Sequence, residues 1–241
     1  MRGRFQRDIP NLGPIKQLDD LNIPDSVDWR AKGAVQPIQD QGGCGSCWAF
    51  SAVATMESHH YIAKGELLKL SEQQLVDCAG IVKCEGCKGC YDYLAYQYAE
   101  QVGLESEKDY GYTGNDDDCK ADASKSILGV DSYVTLPPKS VSQMKAAVAL
   151  QPVAISVDGS TDKFQFYRKG IMDSPECGTM VDHAVTAVGY GTENGQEFLI
   201  VRNSWSIWWG DQGYIRIAID KDGEGICGCL MTGVYPATKA V

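Results

Sequence analysis

The chain has 241 residues, a formal net charge of −10 and ten cysteines. A protein that binds nucleic acid normally carries a basic patch, so the acidic balance argues against that class. No apolar run approaches the ~18 residues of a membrane-spanning helix, so no membrane segment is predicted. Ten cysteines are many for the reducing cytosol but normal for an oxidising compartment, so a secreted, lysosomal or vacuolar protein is expected.

The first 22 residues are polar, contain Pro10, Gly13 and Pro14, and show no sustained periodicity. A flexible extension is the simplest interpretation of this segment. The segment also lacks the apolar core of a signal peptide, so we expect that a longer precursor was trimmed or that Met1 is a new start.

The segment from Gln41 to Phe50 reads Q-G-G-C-G-S-C-W-A-F and is followed by an apolar run. Its glycines permit tight turns, and apolar residues then recur at helical spacing. The run ends at Lys64 and Gly65, a cation followed by a C-cap glycine. Cys47 would therefore lie at the N-terminus of a long buried helix, where the helix dipole and unpaired N–H groups favour a thiolate.

Two further helices are predicted in the first half of the chain. Ser71 with Gln74 forms a capping box at the start of a short helix. A third helical stretch runs from Tyr91 to Val102 and is closed by Gly103. The acidic run at 115–118 has no EF-hand spacing, so it is interpreted as a solvated loop.

The second half of the chain shows β patterning. Leu136-Pro137-Pro138 is the predicted boundary, and Ser140 with Gln143 caps a helix that ends at Leu150. Helices first and strands later predict an α+β chain. Asn194-Gly195 is a hairpin signal between two of the predicted strands. The strand-like stretches are 153–157, 183–191, 196–202 and 214–219.

The C-G-S-C-W sequence around Cys47 resembles the signature of papain-like cysteine proteases. That signature places its His and Asn partners about 130–150 residues downstream. His183, within V-D-H-A-V, and Asn203, within R-N-S-W, lie near that separation and resemble the family's own segments. The resemblance covers nearly the whole chain, from Ile23-Pro24 to Tyr235-Pro236.

The resemblance implies a two-lobed α+β fold, with a helical lobe, a β-barrel-like lobe and the active cleft between them. The helical lobe would be formed mainly by residues 23–136 and carry the nucleophile. The β lobe would be formed mainly by residues 137–241 and carry the His and Asn, with the chain ends crossing between lobes. Residues 1–22 would then be the remainder of a pro-segment.

The implied function is that of a cysteine endopeptidase, which hydrolyses peptide bonds through an acyl-enzyme intermediate. Cys47 would be the nucleophile and His183 the proton carrier, present together as a thiolate–imidazolium pair. Asn203 would orient the imidazole, and Trp205 would shield their hydrogen bond from water. The side chain of Gln41 and the backbone N–H of Cys47 would stabilise the oxyanion.

The resemblance also implies a substrate-binding surface. We expect a preference for Leu, Val or Phe two residues before the scissile bond, with secondary tolerance of a basic residue because of Asp92. Alternatively, Asp92 is only a solvated carboxylate at a helix start. Cys90 departs from the family, which has a glycine there that pairs with the substrate backbone. The substrate-binding residues are Gly89, Cys90, Tyr91, Asp92, Ser156, Val181, Asp182, Ala184, Trp205 and Thr232.

The family pattern implies three disulfides and leaves three further cysteines. A bridge between Cys84 and Cys90 is conceivable across six residues, and Cys229 would then be an odd free thiol. The three implied pairs are Cys44–Cys87, Cys78–Cys119 and Cys177–Cys227.

Two other functions remain as alternatives. The closely spaced cysteines at 44, 47, 84, 87 and 90 could ligate zinc or an iron–sulfur cluster in a metal or redox module. That alternative leaves Gln41, His183 and Asn203 unexplained, so no metal and no cofactor are predicted. A catalytically inactive homologue that acts as a binding protein is the second alternative. His59 and His60 are interpreted as structural or surface residues.

The expected partners follow from the implied function. They are protein and peptide substrates, and inhibitors of the cystatin or pro-segment type. The protein is expected to be a monomer that binds neither nucleic acid nor a membrane.

Overall fold

The structure is a computed structural model that describes residues 15–18 and 23–237. The described residues form five α-helices and eight strands. The helices are α1 (Cys47–Lys64), α2 (Glu72–Cys78), α3 (Asp92–Gln101), α4 (Val141–Leu150) and α5 (Asp162–Gln165). The strands are β1 (Val27–Asp28), β2 (Ser132–Thr135), β3 (Val153–Val157), β4 (Ile171–Met172), β5 (His183–Glu193), β6 (Gln196–Arg202), β7 (Tyr214–Ala218) and β8 (Val234–Ala237).

Helix α1 confirms the long buried helix predicted after the glycine-rich segment. It begins at Cys47, and its first three turns are buried. Gly65 ends it in the left-handed conformation, with φ of 77°, and donates its N–H to the carbonyl of Tyr61. A residue with a Cβ would resist that conformation, which is why a glycine suits this C-cap.

Helix α2 has only half of the predicted capping box. The hydroxyl of Ser71 accepts a hydrogen bond from the backbone N–H of Gln74, as predicted. The reciprocal bond is absent, because the Ser71 N–H donates to the Glu105 carbonyl and the Gln74 side chain accepts from the Glu105 N–H. The capping-box prediction is therefore wrong for the glutamine, whose side chain makes a tertiary contact.

The N-terminal segment from Ile15 to Leu18 contacts β2 and α4. Ile15 forms a parallel bridge with Thr135, and the Gln143 amide both accepts from the Leu18 N–H and donates to its carbonyl. Gln143 therefore does not complete a capping box with Ser140, whose hydroxyl caps α4 alone. The flexible-extension interpretation does not hold for these four residues. The rest of the predicted extension, residues 1–14 and 19–22, lies outside the described residues.

One mixed sheet forms the β lobe, with the strand order β2-β8-β3-β5-β6-β7-β4 and with β1 paired to β5. The β4–β7 pair is parallel and the other pairs are antiparallel. The hairpin predicted at Asn194-Gly195 is confirmed between β5 and β6, with φ of 54° and 83° at the two turn residues. Strand β5 thus lies in the middle of the sheet, and it begins at His183.

Two large apolar cores underlie the two lobes, and a third, small cluster of Val188, Phe198 and Ile200 lies on the sheet. One lies between the sheet and α4 and includes Trp29, Ile155 and Leu199. The other surrounds α1, α2 and α3, and it also contains Ala184 of β5. The contact between α1 and β5 therefore joins the lobes along the line where Cys47 and His183 lie.

Two segments from the first half of the chain, residues 27–29 and β2, pack with the sheet of the β lobe. Val27 and Trp29 pack in the core of the sheet, and β2 pairs with β8 before the predicted boundary at Leu136. The bounds of the two lobes and the crossing of the chain ends between them stay predictions.

The three disulfides that the family pattern implies are present, and the Cys84–Cys90 bridge, which was only conceivable from the sequence, is formed as well. Cys47 and Cys229 are the free cysteines of the described residues, and both are buried. Across residues 15–18 and 23–237, none of the helices combines the length and apolar character that a membrane crossing demands.

Candidate active site

Cys47 is the first residue of α1, and only 1% of it is exposed. Helix α1 packs against β5, and Cys47 shares an apolar core with Ala184. Ala184 directly follows His183 in β5. The packing of α1 on β5 therefore brings the thiol beside the strand that carries the imidazole.

Burial raises the pKa of the Cys47 thiol to about 12, and the charges of Asp92 and Asp182 raise it further, whereas the nearby backbone of Ala184 and Trp48 lowers it. A thiol with such a pKa is neutral at pH 7 when it has no cationic partner. The helix N-terminus alone is therefore insufficient to ionise Cys47. Formation of the thiolate requires a cation next to it, and a protonated His183 is the group that can supply one.

The imidazole of His183 is oriented by Asn203. Its Nε2 donates to Asn203 Oδ1 over 2.7 Å, and the same oxygen accepts the backbone N–H of Ser204 over 2.8 Å. An amide oxygen can only accept, so Nε2 carries the proton of the neutral ring. Nδ1 is then the nitrogen that can take a proton from a thiol.

Aromatic rings enclose this hydrogen bond. Trp205 stacks on the His183 ring, with a centroid distance of 4.5 Å and an interplanar angle of 29°. Phe164 of α5 packs edge-on against both rings. Exclusion of water lowers the local dielectric constant and strengthens the His183–Asn203 hydrogen bond. The sequence pointed to Trp205 but gave no signal for Phe164.

The backbone of Gly159 packs closely against His183. A Cβ on Gly159 would lie 2.7 Å from the Cβ of His183, so this position requires glycine. The Gly159 N–H donates to Asp182 Oδ1 over 2.8 Å. The neighbouring Asp158 is buried and accepts the Met180 N–H over 2.9 Å. The only sequence signal for this support is an Asp-Gly pair directly after β3.

Gln41 is buried and held by four hydrogen bonds, one of which comes from Tyr112. Its Nε2 donates to the Cys44 carbonyl over 2.9 Å, and its Oε1 accepts the Ser204 hydroxyl over 2.6 Å. The Gln41 backbone N–H donates to the Ser204 carbonyl over 2.9 Å. A carboxamide has two N–H donors, so the second N–H on Nε2 can still serve an oxyanion.

Tyr112 is a site residue that sequence reasoning missed. Its hydroxyl donates to the Gln41 carbonyl over 2.8 Å and lies 2.7 Å from the hydroxyl of Ser46. It thereby ties the Gln41 loop to the residue that precedes α1. Tyr112 is far from both residues in the sequence, so only the fold shows this contact.

Part of the expected substrate surface comes together on one wall. Ser156 of β3 pairs with Ala184 of β5, and the Ser156 N–H donates to the Thr232 hydroxyl over 2.8 Å. Val181 and Asp182 precede His183 on the loop that leads into β5. Gly89, Cys90 and Tyr91 form the segment before α3, in which Cys90 is held by its disulfide to Cys84 and the ring of Tyr91 stacks on Tyr93.

Asp92 corrects an expectation. It is the first residue of α3 but only 8% exposed, because the start of α3 packs against α1. Its Oδ1 is buried and has no hydrogen-bond partner among the described residues. Burial raises the pKa of this carboxyl to about 7. The solvated-carboxylate interpretation is therefore wrong, because the start of α3 packs against α1 and turns the side chain inward.

His59 has a structural contact, as expected. Its Nδ1 forms a hydrogen bond with the Gln151 amide oxygen over 2.7 Å, and burial lowers the pKa of its imidazole. His60 follows it on α1 and is partly buried.

A family model described as "Papain family cysteine protease" matches residues 23–237. The chain belongs to the papain family. "Probable cysteine protease RDL6" of Arabidopsis thaliana is 47% identical to it over 239 residues, which are 96% of this chain and 65% of that protein. Zingipain-2 of Zingiber officinale is 44% identical over 220 residues, which are 90% of this chain and 98% of that protein. The chain thus spans just under two thirds of the Arabidopsis relative.

A solved papain-family structure gives the same result for the fold. The bromelain protease from Ananas comosus, in complex with the E64 inhibitor, superposes with a TM-score of 0.85 at 41% identity. The match covers 90% of this chain and 100% of that one. The two-lobed α+β fold is therefore that of the papain family.

The cysteines no longer support a metal or redox module. Cys44, Cys84, Cys87 and Cys90 are all in disulfides, so they have no thiolates to offer a metal. Within the described parts of the chain, no group of three or more His, Cys, Asp or Glu side chains is placed to hold a metal ion. The four disulfides instead fit a papain-family protein of an oxidising compartment.

Proposed function

We propose that this papain-family chain is a cysteine endopeptidase with Cys47 as nucleophile and His183 as proton carrier. One observation carries the proposal: the helix that begins at buried Cys47 packs against the strand that begins at His183, and Asn203 orients the ring of that histidine. An inactive homologue would have no need of this alignment.

The reaction begins with transfer of the Cys47 thiol proton to Nδ1 of His183. The thiolate then attacks the carbonyl carbon of the peptide bond, and the oxyanion is stabilised by the Cys47 backbone N–H and Nε2 of Gln41. His183 returns the proton to the amine, the C–N bond breaks and a thioester is formed. Water, deprotonated by His183, then hydrolyses the thioester and regenerates the thiol.

For the residue two before the scissile bond, we propose an apolar preference for Leu, Val or Phe. The wall formed by Ser156, Ala184 and Thr232 contains no charged side chain, and the two hydroxyls are small. Asp92 is buried and has a pKa of about 7, so its effect on basic residues should be weak in an acidic compartment and grow above pH 7. The secondary basic preference is thus expected to depend on pH.

The cellular setting is also a proposal. We infer secretion or a lysosomal or vacuolar location, with protein and peptide substrates and a monomeric state. Inhibitors of the cystatin or pro-segment type would block the same cleft.

Labelling with the E64 inhibitor tests this function. We expect wild-type protein to bind one equivalent covalently at Cys47 and to lose peptide hydrolysis in proportion. Cys47→Ser should abolish labelling and hydrolysis. Cys229→Ser is the matched control, because this second thiol is also buried with a pKa of about 12, and it should preserve both. Undiminished hydrolysis by Cys47→Ser would refute the nucleophile assignment.

A further inference from the structure

Three large apolar side chains on two adjoining segments of the β lobe are exposed. Trp208 is 81% exposed, Phe166 is 68% exposed and Ile207 is 54% exposed. A single exposed apolar residue is ordinary, whereas several on adjoining segments indicate a binding surface. We call Phe166, Ile207 and Trp208 the apolar ledge.

A tight turn presents two members of the apolar ledge. The Trp209 N–H approaches the Ser206 carbonyl over 3.4 Å, so Ile207 and Trp208 occupy the tip of the turn. Ser206 has φ of 66°, a left-handed conformation that residues other than glycine rarely adopt. Its N–H donates to the Gln39 carbonyl over 3.0 Å, which fixes the base of the turn. The exposed Trp208 is therefore held on an ordered support.

Two hydrogen bonds attach the turn to the segment that carries Phe166. The indole N–H of Trp209 donates to the Gln165 carbonyl over 3.1 Å, and Arg168 donates to the Trp208 carbonyl over 3.3 Å. Gln165 and Arg168 flank Phe166 in the sequence. The apolar ledge thus lies on two neighbouring, cross-linked loops.

The apolar ledge adjoins Trp205 and Phe164, the two aromatic residues that pack around His183. Trp205, which stacks on His183, immediately precedes the turn. Phe164, two residues before Phe166, packs against both rings. In the proposed reaction, His183 protonates the leaving amine, so the leaving half of the substrate must pass on the side of His183 and Trp205. The acyl half is assigned to the Gly89–Asp92 side of the cleft.

We propose that the apolar ledge binds apolar side chains that follow the scissile bond and so selects substrates by their leaving half. This inference rests on the proposed function. A tryptophan buries a large area at little entropic cost and is a common anchor for a bound peptide. A second copy of the chain is a less suitable occupant, because two copies with a net charge of −10 each repel one another.

The test compares three substrates that share one acyl half with Leu two residues before the bond. The first has Phe and Leu after the bond, the second has Gly and Ser there, and the third is an aminomethylcoumarin amide with no residues after it. Trp208→Ala should lower kcat/KM for the first substrate, relative to the coumarin amide, by roughly tenfold. The ratio of kcat/KM for the Gly-Ser substrate to kcat/KM for the coumarin amide should change much less.

Two more variants make the test specific. Phe166→Ala, on the other loop, should shift the same ratio in the same direction. Ile81→Ala is the matched control, since Ile81 is 65% exposed but lies beside α2 in the helical lobe, and it should leave all three kcat/KM values unchanged. Thermal unfolding checks that each variant is folded.

Unchanged ratios in both Trp208→Ala and Phe166→Ala, in folded and active protein, would overturn this inference and leave the proposed function intact. The same conclusion would follow if ultracentrifugation showed a dimer that Trp208→Ala dissociates while the ratios stay constant. If wild-type protein hydrolysed none of the three substrates, the proposed function and this inference would both fail.

Discussion

Cys47 and Cys229 are both free, both fully enclosed and both have a pKa raised to about 12 by burial. Their surroundings differ. Cys47 begins a helix that packs against the strand that carries His183, whereas Cys229 lies beside the glycine-rich loop at Gly225, in the part of the chain that carries the Cys177–Cys227 bridge. Burial alone keeps a thiol protonated, and a protonated thiol is a poor nucleophile. A nucleophile requires an adjacent group that can become a cation.

The substitution with the largest expected effect on kcat/KM removes the imidazole of His183. His183→Ala should lower kcat/KM by about 10²–10⁴-fold or more, because the imidazole is both the proton carrier and the counter-ion of the thiolate. The loss in kcat/KM caused by Asn203→Ala should be smaller than that of His183→Ala by at least about tenfold, because the amide only orients the ring. Steady-state hydrolysis of a peptide with Leu two residues before the bond provides the measurement. Equal losses in two folded variants would contradict the separate roles.

Gln41→Ala separates thiol ionisation from oxyanion stabilisation. Loss of one oxyanion donor should lower kcat by about 10²–10³-fold. The rate at which iodoacetamide alkylates Cys47 should change little, because alkylation forms no oxyanion. Parallel losses of hydrolysis and alkylation would mean that Gln41 acts by positioning Cys47.

Asp92→Asn should have a smaller effect, which is a change in how the stability of the protein depends on pH. The folded-state pKa of Asp92 is about 7, above its ordinary value of 3.8, so the folded state retains a proton that the unfolded state loses. Wild-type protein should therefore lose stability as the pH rises from about 4 to 7, by an amount on the order of a few kcal/mol. The Asn variant should lack this loss.

Thermal unfolding between pH 4 and 8 measures the stability effect of Asp92→Asn. Above pH 7 the same variant should cleave less well when a basic residue lies two before the bond, with little change for Leu. Identical pH profiles for wild type and variant would show that Asp92 is ionised in both states.

The sequence was most informative where chemistry is encoded locally. The glycine-rich segment and the apolar run after it predicted the helix that begins at Cys47, and short motifs marked His183 and Asn203. Gly65 and the Asn194-Gly195 pair predicted a helix end and a hairpin, because both turns need left-handed backbone. These features depend on neighbours a few residues away.

The sequence was least informative where a side chain makes a tertiary contact. Asp92 is buried where α3 packs against α1, and Gln74 binds Glu105 instead of completing its capping box. Tyr112 and Phe164 support the site from segments far away in the chain. Their partners are set by how α1, α3 and the sheet pack, which no local pattern specifies.

The pH dependence of alkylation at Cys47, with Cys229 as internal comparator, shows whether the His183 imidazolium forms the Cys47 thiolate. Iodoacetamide labelling of each cysteine would be quantified by mass spectrometry from pH 4 to 10, in wild type and in His183→Ala. We predict that wild-type Cys47 reacts rapidly below pH 7, where Cys229 does not, and that His183→Ala moves Cys47 reactivity to alkaline pH. If Cys47 kept its acid-side reactivity without His183, the account of a thiolate formed by its imidazolium partner would be contradicted.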